Sequence, residues 1–369
     1  MTHVVRLLCL SVVIFICTVG AAAADIVGAG QDHSAYLAPN GHVWTWGRNY
    51  YGQLGIGVSP DSSTPVQVAI GDVISIAVGA YHTLALKSDG TVWAWGNNSG
   101  KLGNGTVPNS NLPVQVSGLT NIVAISAGET QSHALDAFGT VWAWGENVFG
   151  TLGDGTTGPR LVPVAISGFG GATKLSCGYR HTLGILSGLV FGAGWNFGAQ
   201  LGYMGSSSVP LQMDVMTDVI DIDGGYDFSL MLRSDQTLWS VGTNTWGQLG
   251  RSTLTTYTAG VIPTLSGVTA MSAGYQHALA ITSGGGLWAW GYNVWGQLGI
   301  GSNVSHTAPV AVSGLGPVIG VSAGTQHSVV VTSSGTVWAW GDNTYGRLGD
   351  GTTTSSNVPV LVSAPLLGW

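Results

Sequence analysis

The chain has 369 residues, 59 of them glycine, and only 7% are charged, against roughly 25% in an average globular protein. Apart from Arg6 there are nine basic side chains against seventeen acidic ones, a balance of −8 with histidine neutral. A surface that neutralises phosphates needs clustered Lys and Arg, so nucleic acid is excluded as a partner, and few charges with many turn-forming glycines point to short strands.

Residues 1–24 stand apart. Arg6 gives a positive start, Leu7 to Val19 is almost wholly apolar, and Ala21-Ala22-Ala23-Ala24 offers a small-residue cleavage site. This is the pattern of a secretory signal peptide, so a mature chain of residues 25–369 is expected in the periplasm or outside the cell, with no membrane insertion after cleavage. An uncleaved anchor stays open, because the apolar run approaches the length of a membrane span. Ile16 before Cys17 is not the small residue that lipidation requires. Cys9 and Cys17 leave with the signal, so Cys177 has no intrachain disulfide partner.

From Asp25 onward two signatures alternate. The first is a Gly three residues before a position that is usually His: Gly30/His33, Gly79/His82, Gly128/Gln131, Gly178/His181, Gly225/Phe228, Gly274/His277 and Gly324/His327. The second is Val-Trp-x-Trp-Gly, led by Val43, Val92, Val141, Leu287 and Val337, each followed by a Leu-Gly; the copies at Val190–Gly194 and Leu238–Gly242 are worn. The glycines of the first signature are 49, 49, 50, 47, 49 and 50 residues apart. Seven units of near-constant length make this a repeat protein.

Within residues 121–166 four short apolar runs are separated by turn residues: Ile122 to Ile125, Ser132 to Leu135, Thr140 to Trp144 and Val162 to Ile166. Runs of this length bounded by Gly, Asn, Asp and Ser read as strands. Four strands in each of seven units predict an all-β, seven-bladed β-propeller. Strand side chains alternate between faces, which puts both tryptophans of Val-Trp-x-Trp on one face. The residue between them is small in every unit (Thr45, Ala94, Ala143, Gly192, Ser240, Ala289, Ala339), as a large side chain on the facing blade demands. The tryptophans are therefore expected in the core. Pro65, Pro113, Pro163, Pro210, Pro263, Pro309 and Pro359 are placed in the fourth strand, which makes that strand the outer edge. After Pro359 the chain lacks the apolar run and Gly-x-x-His that follow this strand elsewhere, and Asp25–Gly30 supplies that piece. The ring is expected to close by pairing the N- and C-terminal segments in one blade.

Gly-x-x-His, an apolar strand, and Val-Trp-x-Trp-Gly-x-Asn-x-x-Gly-x-Leu-Gly at a period near 50 resemble the repeat of the regulator of chromosome condensation (RCC1) family. The resemblance covers about residues 25–369. It implies a seven-bladed propeller that serves as a platform for protein partners, including guanine-nucleotide exchange on a small GTPase. Exchange would need a GTPase in the same compartment, and the repeat spacing leaves no room for a long blade insertion. The architecture is also similar to a secreted bacterial propeller that inhibits β-lactamases with aromatic-rich loops on one face, which implies an inhibitor or adhesion role.

The position before the turn Gly that follows the third strand is aromatic in five units: Tyr51, Phe149, Trp246, Trp295 and Tyr345. Equal positions in a propeller point the same way, so these residues are the candidate binding ring; the alternative is that each packs on its neighbouring blade. Units four and five carry Met204, Met213, Met216 and Met231 and are the most divergent, read as compensating core packing or as a partner site. His33, His82, His181, His277 and His327 come one per unit, too far apart for a metal motif, and read as buried groups hydrogen-bonded to backbone. Asp214, Asp218, Asp221, Asp223 and Asp227 lack the spacing of a calcium loop. Gly-Tyr-Arg-His-Thr at 178–182 resembles the tryptophan-bearing motif of plant ultraviolet-B receptor propellers, with Tyr179 where the tryptophan would be. No nucleophile elbow, P-loop or zinc-ligand spacing is present. The expectation is a monomeric propeller without metal or cofactor that binds another protein as scaffold or inhibitor; nucleotide exchange and an enzyme site at the central channel are the alternatives.

Overall fold

The computed structural model describes residues 26–213 and 216–363. The leader expected at 1–24 lies outside the described residues, as do Asp25, Asp214 and the last six residues. Seven four-stranded antiparallel sheets follow one another along the chain, at residues 27–67, 73–115, 122–165, 174–212, 219–261, 268–311 and 318–361. Each runs in order from first strand to fourth, and the first strands line a central channel. The Gly-x-x-His turns and the loops after the third strands open on one face, here the upper face. The turns between second and third strands and the crossovers between blades lie on the lower one.

The Gly that ends Trp-x-Trp-Gly has φ between 99° and 121° in all seven blades. A Cβ there would meet the carbonyl oxygen of the residue before the His position at 2.4–2.7 Å. Both the left-handed backbone and the close approach require glycine. The large-against-small expectation is met: Trp144 packs in one cluster with Ala94 of the preceding blade, Trp340 with Ala289, and Trp46 with Ala339. The second tryptophan of the motif is fully buried and the first is half-buried. Proline marks the outer strand in six blades. Pro263 is the exception: the fourth strand of blade five ends at Val261 and carries Ala259 at the proline position.

The joints share one hydrogen-bonded pattern, with an indole donor at five of them and a hydroxyl donor at six; Ala193 and Val241 replace the second tryptophan in blades four and five, and Ala278 replaces the hydroxyl in blade six. The carbonyl of the residue before Leu-Gly accepts the indole N–H of the next blade's second tryptophan: Gln53 O from Trp95, Lys101 O from Trp144, Gln297 O from Trp340. A hydroxyl after the next blade's His position donates to the same oxygen, as Ser132 does to Lys101 and Ser328 to Gln297. The expectation that the termini pair in one blade is corrected here. Among the described residues the strand Val27–Ala29 pairs with His33–Leu37, and Ser356–Leu361 pairs with Val337–Gly341, each within its own sheet. The repeat boundary falls before the first strand, so blades one and seven each hold all four of their own strands. They meet through the common joint: Trp46 Nε1 and Ser34 Oγ both donate to Arg347 O at 2.8 Å.

Six joints are also plugged by an apolar residue from the crossover between blades: Ile70, Leu119, Phe169, Met216, Leu265 and Leu315. At the joint of blades seven and one, Tyr36 is buried in the cluster instead. Its second-strand position is Ala85, Ala134, Gly184 and Ala280 in four other blades and Met231 and Val330 in the remaining two. Side-chain volume supplied from the strand replaces volume supplied elsewhere by a crossover.

Candidate binding face

The five histidines are fully buried, and their partners are not the backbone groups expected. Each Nε2 meets a hydroxyl of the following blade: His33 with Thr83 (3.0 Å), His82 with Ser132 (2.7 Å), His181 with Ser229 (3.1 Å), His277 with Ser328 (2.9 Å) and His327 with Ser34 (2.8 Å). Each hydroxyl spends its proton on a carbonyl, so Nε2 carries the imidazole proton and donates. Nδ1 is left without a partner. Desolvation therefore holds the rings neutral, with His33, His181 and His277 pulled down to about 3. Where Phe228 replaces His, the hydroxyl opposite is Ala278. These histidines hold blades together.

The five sequence-derived aromatics all lie on the upper face, at the inner end of the third-to-fourth loops. Four of them reach to the next blade. Tyr51 meets Tyr81 edge-on at 5.5 Å, Phe149 meets Trp195 at 4.4 Å, Trp246 meets Tyr292 at 4.9 Å, and Tyr345 lies under Arg48 at 4.5 Å. Trp246 and Trp295 remain 41% exposed. Tyr50 and Phe197, one residue nearer the third strand than the ring position, project further, at 74% and 75%. The ring thus packs across joints and still leaves aromatic surface outward.

Inside that ring lies a second one that the sequence reading passed over, formed by the residues after the Gly of each Gly-x-x-His. Tyr179, Tyr226 and Tyr275 cluster there, with centroids 4.1–5.1 Å apart. Tyr179 O–H donates across the channel mouth to Gln31 at 3.1 Å. Arg180 is paired with Glu129 at 2.8 Å. Arg347, almost fully buried, joins Asp342 of its own blade (3.0 Å) to Asp32 of blade one (3.1 Å), and Arg48 adds a further contact to Asp32 at 3.0 Å. The signal for this inner ring was a change of residue type at one fixed offset: Gln31, Ala80, Glu129, Tyr179, Tyr226, Tyr275, Thr325.

Beneath the mouth the channel encloses about 220 Å³. Lys174 and Asp221 face each other at 3.7 Å. Asp223 accepts from Ser176 Oγ (2.9 Å) and Ala273 N (2.8 Å), and burial pushes its carboxyl up to about 6. Serines do the same work at other joints: Ser126 Oγ accepts from Cys177 N, Ser272 Oγ from Ala323 N, and Ser322 Oγ from Ala29 N. Asp223 is thus a joint residue whose shift has a structural cause. Cys177 donates to His133 Nδ1 at 3.1 Å, and burial raises its thiol to about 12, the state of an inert thiol. Of the four divergent-unit methionines, Met213, Met216 and Met231 are core, and Met204 is exposed.

Seven four-stranded blades, a tryptophan-bearing joint at five of their seven contacts, and aromatic loops over a narrow channel define a β-propeller. The RCC1-like domain family model matches residues 121–366, and models of the regulator of chromosome condensation (RCC1) repeat match residues 40–86 and 89–135. The chain belongs to the RCC1-like domain family. The ultraviolet-B receptor UVR8 of Arabidopsis thaliana is 32% identical over 231 residues, which is 61% of this chain and 42% of that protein. The match therefore spans less than half of the receptor's length. Yeast RCC1 (Prp20), in its structure bound to Kap60, superposes with a TM-score of 0.81 at 24% identity, over 89% of this chain and 85% of that one. Human WBSCR16 superposes with a TM-score of 0.79 at 21% identity, over 88% and 94%. The two superpositions speak to the fold.

Proposed function

We propose that this chain is an exported RCC1-like propeller that binds another protein through its upper face, as scaffold or inhibitor. The observation that carries the reading is the outer ring of aromatics on that face, with the Tyr179, Tyr226 and Tyr275 cluster inside it. Tyr50, Phe197, Trp246 and Trp295 leave ring surface in solvent, and aromatic anchors of this kind dominate protein interfaces. Related propellers support a protein partner: one structure has yeast RCC1 bound to Kap60, and another concerns the binding of Prp20p to Gsp1p and histones. Channel chemistry has less support, because the channel carboxylate Asp223 is occupied in a blade joint.

The test is a cross-linking pull-down from extracellular and envelope fractions. It compares the chain from Asp25 with a variant carrying Tyr51, Phe149, Trp246, Trp295 and Tyr345 all changed to Ala, its fold checked by circular dichroism. A partner captured by the first and lost by at least tenfold in the second is expected. Equal capture by both would remove the outer ring from the interface.

A further inference from the structure

Among the charged residues of the Gly-x-x-His turns, Asp32, Glu129 and Arg180 are internally matched. Arg48 and Arg347 serve Asp32 and Asp342, and Arg180 serves Glu129. Lys101 is buried and donates to Glu129 O at 3.3 Å. Asp227, beside Tyr226 in the turn of blade five, is different. Among the described residues no cation lies within 4 Å of its carboxylate and no hydrogen bond reaches it. Its half-buried side chain tucks under Gly198, where a Cβ would fall 2.7 Å from Asp227 Cβ. The neighbouring Phe197 is 75% exposed, with its ring on Trp195 at 4.3 Å. On the other side Tyr226 stacks on Tyr275 at 4.1 Å and 29°. Burial pushes the carboxyl up to about 6, and the nearest cation, Arg180, only partly offsets this because it is held by Glu129. The field of Asp227 in turn helps to raise the Tyr275 phenol.

A partly desolvated carboxylate without a counter-ion is unfavourable until a cation arrives. Faces of aromatic rings beside it add attraction for that cation and for the methylenes that carry it. We propose that Asp227, with Tyr226 and Tyr275, forms a subsite that takes a lysine or arginine side chain of the protein partner. The proposal rests on the upper face being the binding face and adds the chemistry of one contact. Geometry favours a side chain over a small ion, since the carboxylate offers one charge and the surrounding groups are rings rather than further oxygen ligands.

The test uses the full chain from Asp25 labelled with 3-fluorotyrosine and titrated with N-acetyl-lysine methylamide, N-acetyl-arginine methylamide and the uncharged N-acetyl-norleucine methylamide. Saturable shifts at Tyr226 and Tyr275 with either cationic probe are expected, at least tenfold weaker with norleucine and at least tenfold weaker in Asp227→Asn. The better of the two cations identifies the side chain. Equal shifts with norleucine, undiminished binding in Asp227→Asn, or no shift with any probe would overturn the subsite. If Asp227→Asn still captures the protein partner that the outer-ring variant loses, the subsite fails while the binding face stands.

Discussion

Single residues in this propeller are explained chiefly by what the neighbouring blade offers them. The Gly of Gly-x-x-His leaves room for an imidazole to lie over it; at Gly178 a Cβ would stand 2.1 Å from His181 Cε1. The imidazole then bonds outward to the next blade, and its neutrality has a consequence for pH. A histidine near 6.5 in the unfolded chain and near 3 in the fold favours folding fully above about 6.5, and that stability is lost as pH falls toward 3. His33, His133, His181 and His277 are held at about 3, and His82 and His327 well below their ordinary value. Asp223 and Asp227, raised to about 6, act in the opposite sense, gaining protons in the fold between about 6 and 4. Histidines outnumber them, each losing about 1.4 kcal/mol per pH unit in its window. Denaturation midpoints measured from pH 7 to pH 4.5 should therefore fall steeply below about 6; a flat profile would mean the imidazoles are not buried neutral. The sequence made these histidines conspicuous but not their partners, because a hydroxyl 48 to 51 residues away, or 293 for His327, becomes a neighbour only once the blades are stacked.

At the scale of strands and joints, the repeat did most of the specifying. Four strands per unit, the paired tryptophans on one face and the small residue between them follow from alternation alone, and the structure has them. Pro263 misled because proline was assigned by order rather than by offset, and blade five carries Ala259 where a ladder-breaking residue stands elsewhere. That blade also carries the experiment for how joints tolerate change. Phe228 faces Ala278 while Trp290 still donates to Gln248 O at 3.0 Å, so the apolar pair is a working alternative to His and hydroxyl. His82→Phe alone should cost roughly 1–3 kcal/mol, through the lost hydrogen bond to Ser132 and the crowding it brings. Adding Ser132→Ala should recover part of that loss, a favourable coupling of at least about 0.5 kcal/mol in a double-mutant cycle. Strict additivity in thermal or denaturant unfolding would show that the two positions do not act as one joint.

For the whole molecule, the ring closes with the same joint that links blades one to two, two to three and six to seven, reinforced where blades seven and one meet. Tyr36 fills the core there, and Arg347 ties Asp342 to Asp32 across the gap. Neither device was legible beforehand. A tyrosine in a strand and an arginine in a loop carry no periodic signal, and their partners lie some 300 residues away. The outer aromatic ring was legible because it repeats at a fixed offset. The inner one was not, because its residue type changes from blade to blade and only three neighbouring units supply tyrosine. Together they make the two faces unequal, and the proposed binding function belongs to the upper one. The most direct measurement is photo-cross-linking with p-benzoylphenylalanine placed singly at Tyr50 or Phe197 above, or at Phe138 on the lower face, which is 81% exposed. Partner adducts from Tyr50 and Phe197 but not from Phe138 are expected. Adducts from Phe138 with none from the upper positions would contradict binding through the aromatic face.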